Sequence, residues 1–143
     1  MNLESQWIAG FVDGEGCFHV QVNKAETAAA GYYVLAEFVV TQHVRSIKVL
    51  HAMRKIFKSG VVRPCKDNIY QYRVRKADHL RTRIVPFFMK HKLKTRKRLD
   101  FMKFRWILLL MERGEHLTPA GVEKIQAVRA TMNGKQALSS PSS

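Results

Sequence analysis

Glu15 closes the stretch Trp7-Ile8-Ala9-Gly10-Phe11-Val12-Asp13-Gly14-Glu15-Gly16, which begins as an apolar helix turn and ends in an acidic corner flanked by glycine. A carboxylate leaving the C-terminal end of a helix meets carbonyls without partners and the negative end of the macrodipole. That placement is unfavourable unless a cation is present. Oxygen ligation suits a hard divalent ion, magnesium or calcium. Gly10 and Gly14 lie four apart in the same stretch. Without a Cβ, such positions let one backbone pack directly on another. Glycine inside a helix costs about 1 kcal/mol against alanine, so its presence here points to two such helices in contact. A two-fold dimer supplies that contact, because one face then meets its own copy and must be self-complementary.

Other chemistry is not legible. His43, His51, His79, His91 and His116 lack the spacing of zinc ligands. Gly14-Glu15-Gly16 leads into a strand pattern rather than a helix, so it is no phosphate loop. Cys17 and Cys65 form neither a metal-type spacing nor a disulfide framework and read as reduced thiols of an intracellular protein. No serine or cysteine nucleophile stands in a triad pattern.

The chain has 143 residues, a length suited to one domain with a single core, and 46% of them are hydrophobic. Its 25 Lys and Arg against 11 Asp and Glu give a formal charge of +14. A surplus of that size asks for a polyanionic partner. A membrane is the weaker option and is not expected as partner: the longest apolar run, Trp106 to Met111, is far short of the ~20 residues of a spanning helix. No basic segment followed by a long apolar core marks a signal peptide. Nucleic acid is the expected partner.

Residues Asn2 to Gly14 form the predicted first helix, with Asn2 or Ser5 as its cap. After Gly16 the period becomes two: Phe18, Val20 and Val22 alternate with His19, Gln21 and Asn23, a half-buried strand. Ala25 to Gly31 reads as a hairpin loop, and Tyr32 to Thr41 as a second strand with Val34, Ala36, Phe38 and Val40 on one face. Val44, Ile47, Leu50, Met53 and Phe57 follow at helical spacing, with Gly60 as the stop. Val61 to Arg63 and Ile69 to Arg75 make a further strand pair about a turn from Pro64 to Asn68. Ala77 to Phe88 reads as a short helix ending near Pro86. The basic run Lys90 to Arg98 leads into an amphipathic helix, Leu99 to Arg113, with Phe101, Phe104, Leu108 and Met111 inward. Thr118-Pro119 opens a last helix running to about Asn133. Residues 1–134 are expected to form one domain and residues 135–143 a disordered tail.

Alternation places His19, Gln21, Asn23, Glu37, Arg63, Gln71, Arg73 and Arg75 on the open face of the predicted sheet. Arginine pairs bidentately with guanine, and glutamine or asparagine with adenine, on major-groove edges. A strand of about nine residues rises ~30 Å, the length of about nine base pairs. Two copies related by a two-fold read roughly 20 base pairs as two half-sites. Lys92 and Lys97, in the basic run, are expected on backbone phosphate.

The segment Ala9-Gly10-Phe11-Val12-Asp13-Gly14-Glu15-Gly16 resembles the signature of the LAGLIDADG homing endonucleases at nearly every informative position, with Glu15 where that signature has aspartate. The motif is present once, as in the homodimeric branch of that family. The resemblance covers residues 1 to about 113 and implies an α+β fold: an αββαββα core with a four-stranded antiparallel DNA-binding sheet and extra C-terminal helices. It implies Ile8, Gly10, Phe11 and Gly14 at a homodimer interface, and Glu15 with the Gly14 carbonyl as Mg²⁺ ligands. It also implies Gln42 as the organiser of water, and a basic residue near the scissile phosphate. Lys94 is assigned that last place, with Lys92 and Lys97 as rivals that spacing does not separate. The implied activity is an intron-encoded, Mg²⁺-dependent DNA endonuclease that breaks both strands of a long, pseudo-palindromic site in double-stranded DNA. Ca²⁺ is expected to bind without efficient cleavage, since its looser coordination positions water poorly. The implied compartment is intracellular, an organelle (chloroplast or mitochondrion) or a bacterial cytoplasm. The rival reading is a maturase of the same fold that binds intron RNA. A basic ribosomal or architectural protein would account for the charge but not for the Gly10, Gly14, Glu15 corner.

Overall fold

The structure, a computed structural model, describes residues 1–134; the tail expected to be disordered, 135–143, lies outside the described residues. Helix α1 runs Ser5–Glu15. Its first bond is from the Ile8 amide to the Glu4 carbonyl (3.0 Å), so the helix starts later than expected. Neither Asn2 nor Ser5 caps it; Glu4 holds the cap position in extended conformation without a side-chain bond. The Gly16 amide closes the helix on the Val12 carbonyl, and strand β1, Gly16–Lys24, begins at that residue with no linker. A Cβ on Gly16 would lie 2.7 Å from Val12 Cγ1, so glycine permits this turn from helix to strand.

Strand β2 spans Tyr32–His43, β3 Val61–Lys66 and β4 Ile69–Val74, and the four strands form one sheet in the order β1-β2-β4-β3. The β2–β4 and β4–β3 pairs are antiparallel. The predicted turn from Pro64 to Asn68 is shorter than expected. Pro64, Cys65 and Lys66 stay in β3 through an irregularity of register, and the chain reverses at Asp67 and Asn68, the latter at φ 59°. Proline is tolerated because β3 is an edge strand, where a missing N–H breaks no ladder.

Helix α2, Ile47–Phe57, follows a 3-10 turn at Val44–Ser46. It stops at Lys58, which takes the left-handed conformation (φ 54°), and not at Gly60 as expected. Gly60 serves a different purpose: at φ +91°, a Cβ there would sit 2.7 Å from the Arg73 carbonyl and 2.8 Å from the Tyr72 ring. The helical segment after β4 also departs from expectation. Helix α3 (Ala77–His79), a π-turn (Leu80–Ile84) and helix α4 (Val85–Lys90) run on past Pro86. Proline has no N–H to give Thr82, and the wider turn upstream absorbs the defect. Helix α5 is Lys97–Glu112 and helix α6 is Pro119–Arg129, shorter than predicted.

The described residues divide into two compact units. The first comprises residues 1–17 and 37–98. Its core is aromatic: Phe57 packs on Phe87 (5.1 Å, edge-on), lies parallel to Tyr72 (6.5 Å) and meets Phe38 edge-on (6.2 Å), with Leu50, Met53, Leu80 and Ile84 buried. The Tyr72 hydroxyl donates to the Ser59 carbonyl (2.8 Å), and burial pushes its pKa well above the ordinary phenol range against the opposing pull of Arg54. The second unit comprises, of the described residues, 18–36 and 99–134. Phe18 packs on Phe101 (5.1 Å) and Phe104 (5.3 Å). Thr118 Oγ1 caps α6 by accepting the Gly121 amide (3.0 Å). Beyond that cap, Arg129 Nε donates to the Val20 carbonyl (2.6 Å) and Asn133 Nδ2 to the Phe18 carbonyl (2.8 Å). These bonds satisfy carbonyls of edge strand β1 that would otherwise template another strand. Among the described residues no helix is long and apolar enough to cross a membrane.

Candidate active site and nucleic-acid interface

Glu15 is the last residue of α1 and is exposed, as is Gly14. Asp13 behaves differently. Its Oδ2 accepts the Lys94 amide (2.7 Å), and its Oδ1 accepts the Thr95 amide (3.1 Å) and the Thr95 hydroxyl (2.6 Å). Burial pushes this carboxyl up. The Thr95 hydroxyl, the two amides and the Lys97 ammonium outweigh burial and hold it below its ordinary value of 3.8. From the same segment Lys97 Nζ donates to the Gly16 carbonyl. The structure therefore brings the end of α1 and the basic run together, an association that sequence reasoning missed. Within that run Leu93 is buried, while Lys92, Lys94 and Arg96 are exposed. Lys97, expected on phosphate, has its ammonium directed at the protein's own backbone.

Gln42 sits near the end of β2, opposite Tyr70 of β4 and half-buried, on the side of the strand that carries Phe38 and Val40. Among the described residues no three His, Cys, Asp or Glu side chains gather closely enough to hold a metal. The donor set at the end of α1 is Glu15 and the carbonyl of Gly14, both oxygen and both on exposed residues. That set is of the oxygen type a hard cation takes, but it does not by itself fill the six or more positions of such an ion. Both oxygens of Asp13 are already engaged and add nothing to it.

The outward face of α1 carries Trp7, Gly10 and Gly14, with Phe11 half-buried beside them and stacked on Trp7 at 4.9 Å. A Cβ on Gly10 or Gly14 would meet nothing within 4 Å, so this chain's own packing does not require glycine at either place. Ile8, expected on the same face, is corrected by the structure: it is 1% exposed and points inward with Ala9 and Val12. Helical geometry puts residue 8 about one hundred degrees from residue 7, onto the core side.

On β4, Gln71 lies between Thr41 and Arg63, and Arg73 between Val39 and Val61. Arg73 is thus flanked along its own face by Arg75 and Arg63. Desolvation and the two neighbouring guanidiniums favour loss of its proton, and Glu37 opposes them. Glu37 is corrected as a base-reading residue. It is 7% exposed and accepts Arg75 Nε at 2.7 Å, so it holds a neighbour rather than reaching outward. Alternation alone could not show this, since it assigns a face and not a depth. In the second unit, His19 and Gln21 on β1 are half-buried and Asn23 is exposed, its amide donating to Gln21 Oε1 at 3.3 Å.

Residues 8–108 match the family model described as LAGLIDADG endonuclease. The chain is 31% identical over 120 residues to "Probable intron-encoded endonuclease 2" of Neurospora crassa, a match covering 83% of this chain and 25% of that protein. It thus spans about a quarter of the length of that relative. Among solved structures it is similar to the homing endonuclease I-TnaI, at 50% identity and a TM-score of 0.90, covering 97% of this chain and 95% of that one. It is also similar to I-SmaMI bound to an uncleaved DNA target in the presence of calcium ions, at 33% identity and a TM-score of 0.91, covering 96% of this chain and 49% of that one.

Proposed function

This chain belongs to the LAGLIDADG endonuclease family, and from that premise we propose that it acts as a homodimer that breaks both strands of a double-stranded DNA target. One observation carries the reading: α1 ends in an exposed carboxylate, Glu15, beside a glycine face that the chain does not cover. Pairing two copies of that face across a two-fold brings two Glu15 carboxylates near one another. Each copy then supplies half of a paired centre, which links dimerisation to double-strand cleavage. In this reading Glu15 and the Gly14 carbonyl would hold Mg²⁺. When bound, a divalent ion lowers the pKa of a coordinated water and offsets charge on the leaving oxygen. Gln42 orients solvent by hydrogen bonding, and the exposed Lys94 ammonium stabilises the charge that builds on the phosphoryl oxygens.

Recognition falls to the sheet. Arg63, Gln71 and Arg73 present donors to base edges and Arg75 is braced by Glu37; His19, Gln21 and Asn23 on β1 are further base-reading residues. Lys92 contacts backbone phosphate. The expected site is roughly 20 base pairs with two related halves. The isoelectric point near 10.3 agrees with a nucleic-acid partner. An organelle is the expected compartment, in line with the intron-encoded relative.

The test is Glu15→Gln on a duplex recovered from a randomised library in Mg²⁺. The substitution removes the charge at nearly constant volume, so binding survives and cleavage of both strands is lost. Ca²⁺ supports binding and not cutting by the unmodified protein. Comparable cutting by Glu15→Gln refutes the metal assignment. Binding of structured RNA with no duplex cut by either protein makes the maturase reading the correct one.

A further inference from the structure

We propose that Asp13 is a positioning residue: by gripping the Lys94–Thr95 peptide, it sets the place of the Lys94 ammonium relative to the Glu15 corner. The inference rests on the endonuclease reading above and adds to it a role for the other acid of the motif.

Between the end of α4 at Lys90 and the start of α5 at Lys97 the chain has no regular structure. The amides of Lys94 and Thr95 therefore have no ladder or helix partner. Asp13 accepts both the Lys94 and the Thr95 N–H groups as well as the Thr95 hydroxyl. An ionised carboxylate is the side chain that can do this, because it accepts at both oxygens and donates at neither. The bonds are charge-assisted, and two of them, at 2.7 and 2.6 Å, are short in the way such bonds are.

The grip is relayed and doubled. Thr95 Oγ1 donates to Asp13 and accepts the Lys97 amide (3.2 Å), so the same hydroxyl fixes the first turn of α5. Lys97 Nζ reaches the carbonyl of Gly16, the residue after Glu15. Leu93, in the same segment, is 2% exposed and adds a buried anchor. Lys94 is held by its backbone while its side chain stays exposed. An amine on such a base can approach a phosphate beside Glu15 without first ordering its own loop. Asp13 and Glu15 then divide the labour: one ties the lysine segment to the helix end, the other faces outward. A displacement of about 1 Å at a reacting group can cost on the order of a hundredfold in rate, so a backbone grip of this kind is a rate determinant.

The experiment compares Asp13→Asn, Thr95→Val and Thr95→Ser, each alone and combined with Lys94→Ala. The readouts are the single-turnover cutting rate in Mg²⁺ and the dissociation constant in Ca²⁺ on one library-selected duplex. Asp13→Asn and Thr95→Val are expected to slow cutting by about 10- to 100-fold while binding changes by less than about threefold. Thr95→Ser keeps the hydroxyl and restores the rate. In the Lys94→Ala background neither substitution slows cutting further, because the group being positioned is gone. Equal slowing in both backgrounds overturns the inference in favour of a purely structural grip, as does an unchanged rate in Asp13→Asn. Thr95→Val serves if Asp13→Asn fails to fold. If Lys94→Ala cuts like the unmodified protein, the target of the positioning is wrong and the inference falls alone. If the unmodified protein cuts no duplex, the endonuclease reading itself falls and takes the inference with it.

Discussion

Replacing Gly10 by leucine separates the fold of one chain from the pairing of two. In the isolated chain a Cβ at Gly10 meets nothing within 4 Å, so the substitution introduces no clash. It also removes a poor helix former from the middle of α1, Ser5–Glu15. Leucine is better than glycine in a helix interior by about 0.8 kcal/mol, which raises the melting temperature of the monomer by roughly 3 °C for a chain of this size. The dimer responds in the opposite direction. A two-fold interface contains each residue twice, so two leucines enter a contact built for bare backbone. Overpacking costs about 1–3 kcal/mol apiece, or about 2–6 kcal/mol per dimer, which weakens association by roughly 30-fold to more than 10,000-fold. Sedimentation velocity over a dilution series measures the association, and a circular dichroism melt of the same samples measures the fold. The expected result is a folded, slightly more heat-stable monomer that no longer cuts. A Gly10→Leu protein that remains dimeric with an unchanged dissociation constant refutes the assignment of this helix face to the interface. Unfolding of the variant refutes the claim that the face is uncovered within one chain.

Arg73→Ala is expected to relax preference at one base position in each half-site, whereas Lys92→Ala weakens binding to all duplexes alike, and library selections with both variants read the difference. Gly60→Ala forces a side chain into a left-handed position with the Arg73 carbonyl 2.7 Å from the new Cβ. It is expected to cost about 1–3 kcal/mol, seen as a lower urea midpoint, and an unchanged midpoint removes the steric reading. The Asp13 carboxyl is held below 3.8 in the folded chain, so on acidification the unfolded chain takes up the proton first. Its contribution is therefore complete above the ordinary carboxyl range and lost as pH falls through the folded value. Thermal melts of Asp13→Asn against the unmodified protein should show a gap at about pH 6 that closes on acidification below about pH 4; a gap independent of pH contradicts the bond network drawn here.

Features that depend on neighbours along the chain were readable without coordinates. The alternation of Phe18 and Val20 with His19 and Gln21 becomes β1, with the first pair buried. The spacing of Leu50, Met53 and Phe57 becomes the buried face of α2, and Thr118-Pro119 opens α6 as its cap chemistry requires. The signature around Glu15 identified the family, because a glycine-spaced helix ending in an acid is a local pattern. Local signals failed where distant segments decide the outcome. Gly60 looked like a helix stop, but its conformation answers to Arg73 and Tyr72 on β4. Glu37 looked like one more polar residue on an open strand face, yet it is buried and accepts Arg75 Nε. Ile8 belonged to the motif helix, yet which side of that helix faces inward depends on what packs against it. The grip of Asp13 on Lys94 and Thr95 joins positions more than eighty residues apart. A carboxylate and two amides carry no mark of one another in a linear chain, and they become partners only when the fold brings the loop before α5 against the end of α1.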